Sequence, residues 1–232
     1  MSNRILTAYL LATVASAAGA QNTMPTVPGH WRRITITRDL TWAKGGPGDG
    51  LVTQLQAAGY NYESPAWCLI FCAPAVAHPN EQHPSAMAST SIRFAVTHKF
   101  AVGLTLSQEN LGGAIGYRSD SSLFGGTYIN SDWETRATWA VAYWTPAPGI
   151  RLGGGPALHH LVNVPESRSL SRIGAIAEVG LELPEQSRFF LDLAARYHFI
   201  PATDVAHGLS GAVMLRPPWS HFSFLAGLGL RL

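Results

Sequence analysis

The sequence has few charged residues, few cysteines and no long apolar run. Only 13% of its 232 residues are charged, against about 25% in an ordinary soluble domain. This low charge suits an environment of low polarity. No run of about 18 apolar residues is present, so we expect no membrane-spanning helix. The net charge of +2 is too small to indicate nucleic-acid binding.

The N-terminus has the features of a secretory signal. Arg4 provides a positive charge, and a short apolar segment follows it. Ala18-Gly19-Ala20 fits the small-residue rule for signal cleavage, which predicts a cut before Gln21. Residues 1–20 are therefore interpreted as a signal peptide, and residues 21–232 as one exported domain.

The two cysteines are close together, at Cys68 and Cys72, with His78 and His83 shortly after them. This set could bind zinc, but its spacing is compressed relative to ordinary zinc modules. Thiols outside the cytoplasm tend to oxidise. A local disulfide between Cys68 and Cys72 is the favoured interpretation, and no metal site and no cofactor are expected.

Alternation between apolar and polar residues is the main structural signal, and it is clearest at the C-terminus. Phe222, Phe224 and Leu228 share one face of the predicted last strand, and His221 and Ser223 share the other. The same period-two pattern recurs along the chain. It predicts eight strands at about residues 30–42, 90–97, 100–107, 131–144, 150–162, 169–183, 187–200 and 220–232.

The connections between these strands predict a membrane barrel. Those after strands two, four and six are short, whereas the others are longer. They include a first loop over about 43–88 and a second over 108–127, which either is a loop or continues the strand ladder beyond the membrane. Short turns on one side and longer loops on the other are typical of outer-membrane barrels. We therefore expect an all-β, eight-stranded antiparallel transmembrane β-barrel with a long first external loop. A secreted β-sandwich or lipocalin-like barrel is the alternative, but it would not explain the low charge.

The polar faces of the strands are expected to point into the barrel. An eight-stranded barrel has an interior that side chains just fill, and buried charges need partners. We predict an interior polar network of Glu134, Arg136, Arg172, Glu178, Asp192 and Arg196. Aromatic residues expected in the belts at the membrane interfaces are Trp42, Trp133, Tyr143, Trp144 and Tyr197.

Three segments resemble the small outer-membrane β-barrels of Gram-negative bacteria, of the OmpA-like and OmpW-like kinds. They are Arg-Leu-Gly-Gly-Gly-Pro-Ala-Leu at 151–158, Phe-Leu-Asp-Leu-Ala-Ala-Arg-Tyr-His at 190–198, and the C-terminal segment 220–232. The resemblance covers about residues 30–232. It implies location in the cell outer membrane, contact with its lipid and lipopolysaccharide, and insertion by the barrel-assembly machinery. That machinery reads the last strand, which usually ends in an aromatic residue, whereas this chain ends in Leu232.

The sequence indicates architecture more firmly than activity. We expect a monomeric, non-enzymatic structural or surface-binding protein with a polar, plugged interior and no catalytic residues. Some barrels of this kind deacylate lipid A with a His-x-Ser pair followed by Asn. His221 and Ser223 have that spacing, but Phe224 stands where the Asn would be, and no acidic partner is evident. A lipid A-modifying hydrolase therefore remains an alternative. A narrow channel or carrier for small hydrophobic molecules is another, which a lateral gap beside Pro156 would favour.

Overall fold

The computed structural model describes residues 33–60, 78–80, 87–119, 126–185, 187–207 and 213–232. The predicted signal peptide, Cys68, Cys72 and His83 lie outside these residues. In chain order the elements are β1 (Ile34–Gly45), α1 (Gly48–Ala57), β2 (His78–Asn80), β3 (Met87–Ala95), β4 (Phe100–Ser119), β5 (Gly126–Ala147), β6 (Ile150–Asn163), β7 (Arg168–Leu183), β8 (Phe189–Phe199), β9 (Val205–His207), β10 (Val213–Leu215) and β11 (His221–Arg231).

Eight antiparallel strands form a closed barrel. Their order around the wall is β1, β3, β4, β5, β6, β7, β8 and β11, and β11 pairs back with β1. The closing ladder runs from Thr35 opposite Arg231 to Gly45 opposite His221. At its end the Leu232 amide donates to the Ile34 carbonyl at 2.8 Å. Closure leaves no unpaired sheet edge in the wall, and the predicted eight-stranded antiparallel barrel is confirmed.

The barrel wall is apolar on its outer face and mostly polar on its inner face. Leu104 and Phe94 are each 50% exposed, whereas Thr105 and Ser91 on the opposite face are almost fully buried. The same outward apolar face continues around the wall through Ile92, Val102, Leu106, Leu152, Leu158, Ile173, Val179, Leu181, Phe199, Phe222 and Phe224. An outward apolar band around a polar interior is the polarity of a membrane barrel and the reverse of a soluble one.

The two ends of the barrel differ. Three short connections join β3 to β4, β5 to β6 and β7 to β8, and we call this the short-turn end. The opposite, outer end carries α1, β2, β9, β10 and the extension of the β4–β5 hairpin. Together these form the segment that we call the outer head.

Of the two interpretations of segment 108–127, the loop is wrong and the continued strand ladder is confirmed. β4 continues to Ser119, and β5 begins at Gly126, so most of this segment is a paired hairpin. Its Gly- and Asn-rich composition is typical of a loop, but a bulge between Asn110 and Gly112 lets the ladder continue. Gly112 has a φ of 65°, a conformation that glycine adopts without a steric penalty.

The first predicted loop, over about 43–88, is not supported as one continuous loop. β1 extends to Gly45 and β3 begins at Met87, and the connection contains α1 and β2. The helix α1 begins after Pro47 and has no side-chain cap, and Asp49 lies in its first turn. Within the described part of the chain, no helix is long and apolar enough to cross a membrane.

Pro156 lies within β6 and interrupts its pairing with β5. The ladder passes from Trp139 opposite Ala157 to Ala142 opposite Gly154, without pairs between them. The strands nevertheless stay close, because a Cβ added at Gly155 would lie 2.0 Å from the Ala140 carbonyl oxygen. The pairing of β5 and β6 is therefore irregular beside Pro156, but their backbones remain in close approach and leave no lateral gap there.

Candidate functional site

The barrel interior is filled by three groups of side chains, stacked from the short-turn end to the outer end. The ion-pair plug consists of Arg93, Arg151, Glu178, Glu182, Asp192, Arg196 and Arg231. The histidine cluster consists of Glu109, His159, His198, His221 and Ser223. The outer cap is an apolar group that belongs to the outer head.

Glu178 is the centre of the ion-pair plug. Its side chain is fully buried and accepts hydrogen bonds from Arg151 Nε at 2.8 Å and Arg196 Nε at 2.5 Å. Arg151 also donates to Asp192 at 2.5 Å, and Arg196 donates to Ser89 at 2.8 Å. Each buried charge in this chain of contacts therefore has a partner of opposite sign or a hydrogen bond, which offsets the cost of its burial.

Glu182 joins the plug to the short-turn end. It accepts from Arg93 and Arg231, and from Arg151 at 3.2 Å. A cleft of about 230 Å³ opens at this end, and its lining includes Arg93, Arg151, Glu182 and Arg231. Charged side chains of the ion-pair plug therefore form the inner boundary of the cleft.

Aromatic rings pack against the arginines of the plug. The Arg196 guanidinium lies 4.7 Å from the centre of the Trp139 ring, and that of Arg231 lies 4.0 Å from the centre of the Phe190 ring. Tyr143 faces Arg93 at 5.5 Å. Cation–π contacts of this kind fill the space between ion pairs and strengthen when water is excluded.

The structure separates the six residues predicted for the interior network. Glu178, Asp192 and Arg196 lie inside, in the ion-pair plug. The inward placement of Glu134 and Arg136 is wrong, because Arg136 is exposed and Glu134 is half-buried beside Gln108 on the outer face of β5. Arg172 is not in the plug either and instead donates to Thr203 at 2.8 Å.

The prediction for Glu134 and Arg136 failed because the inner face of β5 is more apolar than its outer face. Trp133, Trp139, Val141 and Tyr143 all point inward and are almost fully buried. The prediction of interface belts is therefore wrong for Trp133 and Tyr143. Trp42, Trp144 and Tyr197 lie on the outer face, where Trp144 is 45% exposed.

The histidine cluster lies between the plug and the outer cap. Glu109 of β4 reaches across the lumen to β8 and β11, although β1 and β3 separate β4 from β11 in the wall. Its carboxylate lies 2.8 Å from His221 Nε2 and 3.4 Å from His198 Nε2, and it accepts a hydrogen bond from Ser223 Oγ at 2.7 Å. All four side chains are fully buried.

His198 and His221 are directly opposite each other in the β8–β11 ladder. Their rings are stacked, with centroids 4.3 Å apart and planes 12° from parallel. His159 of β6 approaches the edge of His198 at 5.5 Å between centroids. The register of three strands thus brings three imidazoles into one buried cluster around a single carboxylate.

The order of groups differs from that of a hydrolytic triad. In a triad the imidazole lies between the hydroxyl and the acid. Here Glu109 lies between the two, because Ser223 and His221 both bind its Oε2 atom. Ser223 and His221 also face the interior, whereas the neighbouring Phe222 and Phe224 are exposed on the outer face.

The outer cap is a small apolar core. Leu51 and Leu55 of α1 are fully buried, as are Trp133 and Trp219, whose rings meet edge to face at 4.7 Å. The other buried members are Tyr60, Leu111, Ala114, Ile129, Leu161, Ile200, Val205 and Leu215. The Gln54 side chain fastens α1 to Arg216 with two hydrogen bonds, at 3.0 and 2.6 Å. The cap thereby covers the outer end of the lumen.

Sequence reasoning missed Glu109 because it lies in the segment that was interpreted as a loop. A signal for it was nevertheless present. Thr105, Ser107 and Glu109 continue one face of β4, and all three are buried. Extending the period-two alternation of this strand by two residues beyond Ser107 would have placed Glu109 inside the barrel.

Comparison with known proteins finds similarity in fold. No protein-family model and no curated protein matches the chain. Among solved structures, outer membrane protein AlkL in lipid bilayers is 12% identical over 91% of this chain and 97% of its own, with a TM-score of 0.49. Neisserial surface protein A is 12% identical over 86% and 97%, with a TM-score of 0.47. The attachment invasion locus protein Ail of Yersinia pestis is 14% identical over 86% and 97%, with a TM-score of 0.39.

The closed sheet, the apolar outer face and the charged interior of this chain decide its class. The protein has the architecture of an outer-membrane β-barrel. These features agree with the expected location in the outer membrane.

Proposed function

We propose that the protein is a closed, non-conducting barrel that anchors a folded outer head for binding at the cell surface, and that it is not an enzyme. The observation that carries this proposal is the filling of the lumen. The ion-pair plug, the histidine cluster and the outer cap follow one another along the barrel, and their central side chains are almost completely buried.

The outer head supports the binding part of the proposal. Loops that carry binding sites are commonly positioned by a rigid scaffold. In this protein the described part of the outer end has its own apolar core and the two Gln54–Arg216 hydrogen bonds, which hold α1 against the segment that follows β10. A barrel that served only as a membrane filler would not need a second core outside the membrane.

The carrier alternative has less support. A route for small hydrophobic molecules would need a passage through the lumen or through the wall. The interior is occupied at both ends, and at the Pro156 seam the backbones of β5 and β6 remain in close approach.

Solute flux through lipid vesicles tests the proposal. The folded protein is reconstituted into vesicles loaded with a small fluorescent dye, beside protein-free vesicles and vesicles that contain an open porin. We expect dye retention equal to that of the protein-free vesicles. Release at a rate near that of the porin would contradict a closed lumen.

The absence of hydrolytic activity is tested in the same vesicles with lipid A added to the bilayer. Mass spectrometry of the extracted lipid should show no loss of acyl chains after long incubation. Deacylation that is abolished by Ser223→Ala would overturn the non-enzymatic proposal.

A further inference from the structure

The hydrogen-bonding pattern of His221 shows that its contact with Glu109 needs a positive charge. His221 Nδ1 lies 2.9 Å from the Trp219 carbonyl oxygen, which can only accept. Nδ1 therefore carries the ring proton. In a neutral imidazole the other nitrogen, Nε2, then presents a bare lone pair to a carboxylate oxygen only 2.8 Å away. Two acceptors at this distance repel unless a proton or a metal ion lies between them.

A proton would satisfy only part of the cluster. It could join His221 to Glu109, but His198 Nε2 lies 3.4 Å from the other Glu109 oxygen, and His198 Nδ1 has no hydrogen-bond partner among the described residues. Both nitrogens of the buried His159 also lack a partner in this part of the chain. Because the rings of His198 and His221 are stacked at 4.3 Å, a second protonated imidazole would lie against the first. One metal ion accepts lone pairs from several nitrogens without adding that repulsion.

The candidate ligand atoms are close enough together for a metal centre, and the stacked rings of His198 and His221 would turn toward the ion on binding it. The candidate ligand atoms of Glu109, His198 and His221 all lie within 4.8 Å of one another. Tetrahedral zinc with bonds of about 2.0–2.1 Å places its ligands roughly 3.3 Å apart. The Glu109 oxygens lie 2.8 and 3.4 Å from the two nitrogens. The backbone carbonyl that binds His221 Nδ1 is the type of partner that orients a metal-binding histidine.

We propose that Glu109, His198 and His221 form a binding site for a divalent transition-metal ion inside the barrel. Two imidazoles and one carboxylate favour zinc, nickel or copper over magnesium or calcium. The ion would link β4 to β8 and β11 across the lumen. This inference does not depend on the proposed surface role, since a closed barrel can contain the site whatever its head binds.

Metal retention by the full chain tests the site. The protein, without a histidine tag and with Cys68→Ser and Cys72→Ser to remove thiol ligands, is refolded into detergent with zinc or cobalt present. Excess metal is removed with a chelating resin, and the retained metal is measured by mass spectrometry. We expect one ion per chain and a cobalt absorption spectrum of nitrogen and oxygen ligands.

Two variants and one control identify the ligands. Glu109→Gln and His198→Ala should each lose the retained ion. His160→Ala, whose ring lies on the outer face of β6 beside Ser171, should keep it. A boiling-dependent gel shift verifies that each variant is folded. Zinc should also raise the unfolding temperature of the parent and of the control, but not that of the two ligand variants.

Two results would overturn the proposal. The first is a folded parent protein that retains no metal and shows no thermal shift with zinc, which would leave a proton as the bridge between Glu109 and His221. The second is retention of as much metal by Glu109→Gln and His198→Ala as by the parent, which would place the ion elsewhere.

Discussion

The barrel and its outer head bury opposite kinds of side chain. Within the barrel, charged groups such as Glu178 and Arg196 are inside and apolar groups such as Leu104 are outside. In the head, Leu51, Leu55 and Trp219 are inside, as in a soluble domain. The difference follows from the solvent. A wall surrounded by lipid gains nothing by hiding apolar residues, whereas a head surrounded by water does.

The interior charges should be the most sensitive part of the barrel. Glu178→Ala removes the acceptor of both Arg151 and Arg196 and leaves two guanidiniums buried beside a cavity. We expect a loss of about 3–5 kcal/mol in the free energy of unfolding. Urea unfolding in lipid vesicles, followed by the boiling-dependent gel shift, measures it. Glu185→Ala, at an exposed turn, is the matched control and should change little. A small effect of Glu178→Ala would show that the plug does not stabilise the barrel.

The apolar core of the head should respond to a cavity. Leu55→Ala removes a fully buried side chain from α1, at an expected cost of about 2–5 kcal/mol to the part of the structure that it supports. Because Leu55 lies on α1, outside the strand ladders of the barrel wall, we expect the gel shift to persist while protease cleaves α1 faster. Met214→Ala, at a side chain that is 63% exposed, is the control. Loss of the gel shift in Leu55→Ala would show that head and barrel unfold together.

One substitution applied to both regions compares their surroundings directly. Leu104 is 50% exposed on the barrel wall, and Met214 is 63% exposed on the head. Arginine at a lipid-facing position near the bilayer centre costs about 2–4 kcal/mol. We therefore expect Leu104→Arg to lower the urea midpoint in vesicles and Met214→Arg to leave it nearly unchanged. Equal effects of the two would remove the distinction between a lipid-facing wall and a water-facing head.

The smallest expected effect is a loss of stability of the outer head at acidic pH. Burial lowers the pKa of His207 in β9 below its ordinary value, although the nearby Glu166 carboxylate acts in the opposite direction. Because the unfolded chain then binds more protons than the folded head, head stability should fall as the pH drops below about 6.5. Protease cleavage of the head should be faster at pH 5.5 than at pH 7.5, and His207→Gln should reduce that difference. If His207→Gln shows the same difference in cleavage rate between pH 5.5 and pH 7.5, another titrating group is responsible for the pH dependence.

Sequence reasoning was most successful where lipid imposes one rule on a whole face. Alternation predicted the eight strands, because an outward apolar residue recurs at every second position from Phe222 to Leu232. It failed on β5, where Trp139 and Tyr143 look lipid-facing but pack on arginines inside the barrel. Period two defines two faces and does not say which of two mixed faces points inward.

The candidate metal site could not be predicted because it depends on contacts between distant strands. Glu109 and His221 are 112 residues apart, and their approach follows from the closure of the barrel. The sequence singled out His221 and Ser223 as a spaced pair. The sequence offered no means of identifying the acidic residue that faces this pair. Contacts across the lumen join residues that are far apart in the sequence, and no local sequence pattern marks them.

The orientation of the wall can be tested by spin labels at Leu104 and Met214 in the Cys68→Ser, Cys72→Ser background. Each position is changed to cysteine, labelled, and studied in lipid vesicles with oxygen, which concentrates in the bilayer, and with a water-soluble nickel chelate. We predict that the label at position 104 collides with oxygen and is shielded from the chelate, whereas the label at position 214 shows the reverse. Free access of the chelate to position 104 would contradict the account, because that face would then be in water and the protein would not be a membrane barrel.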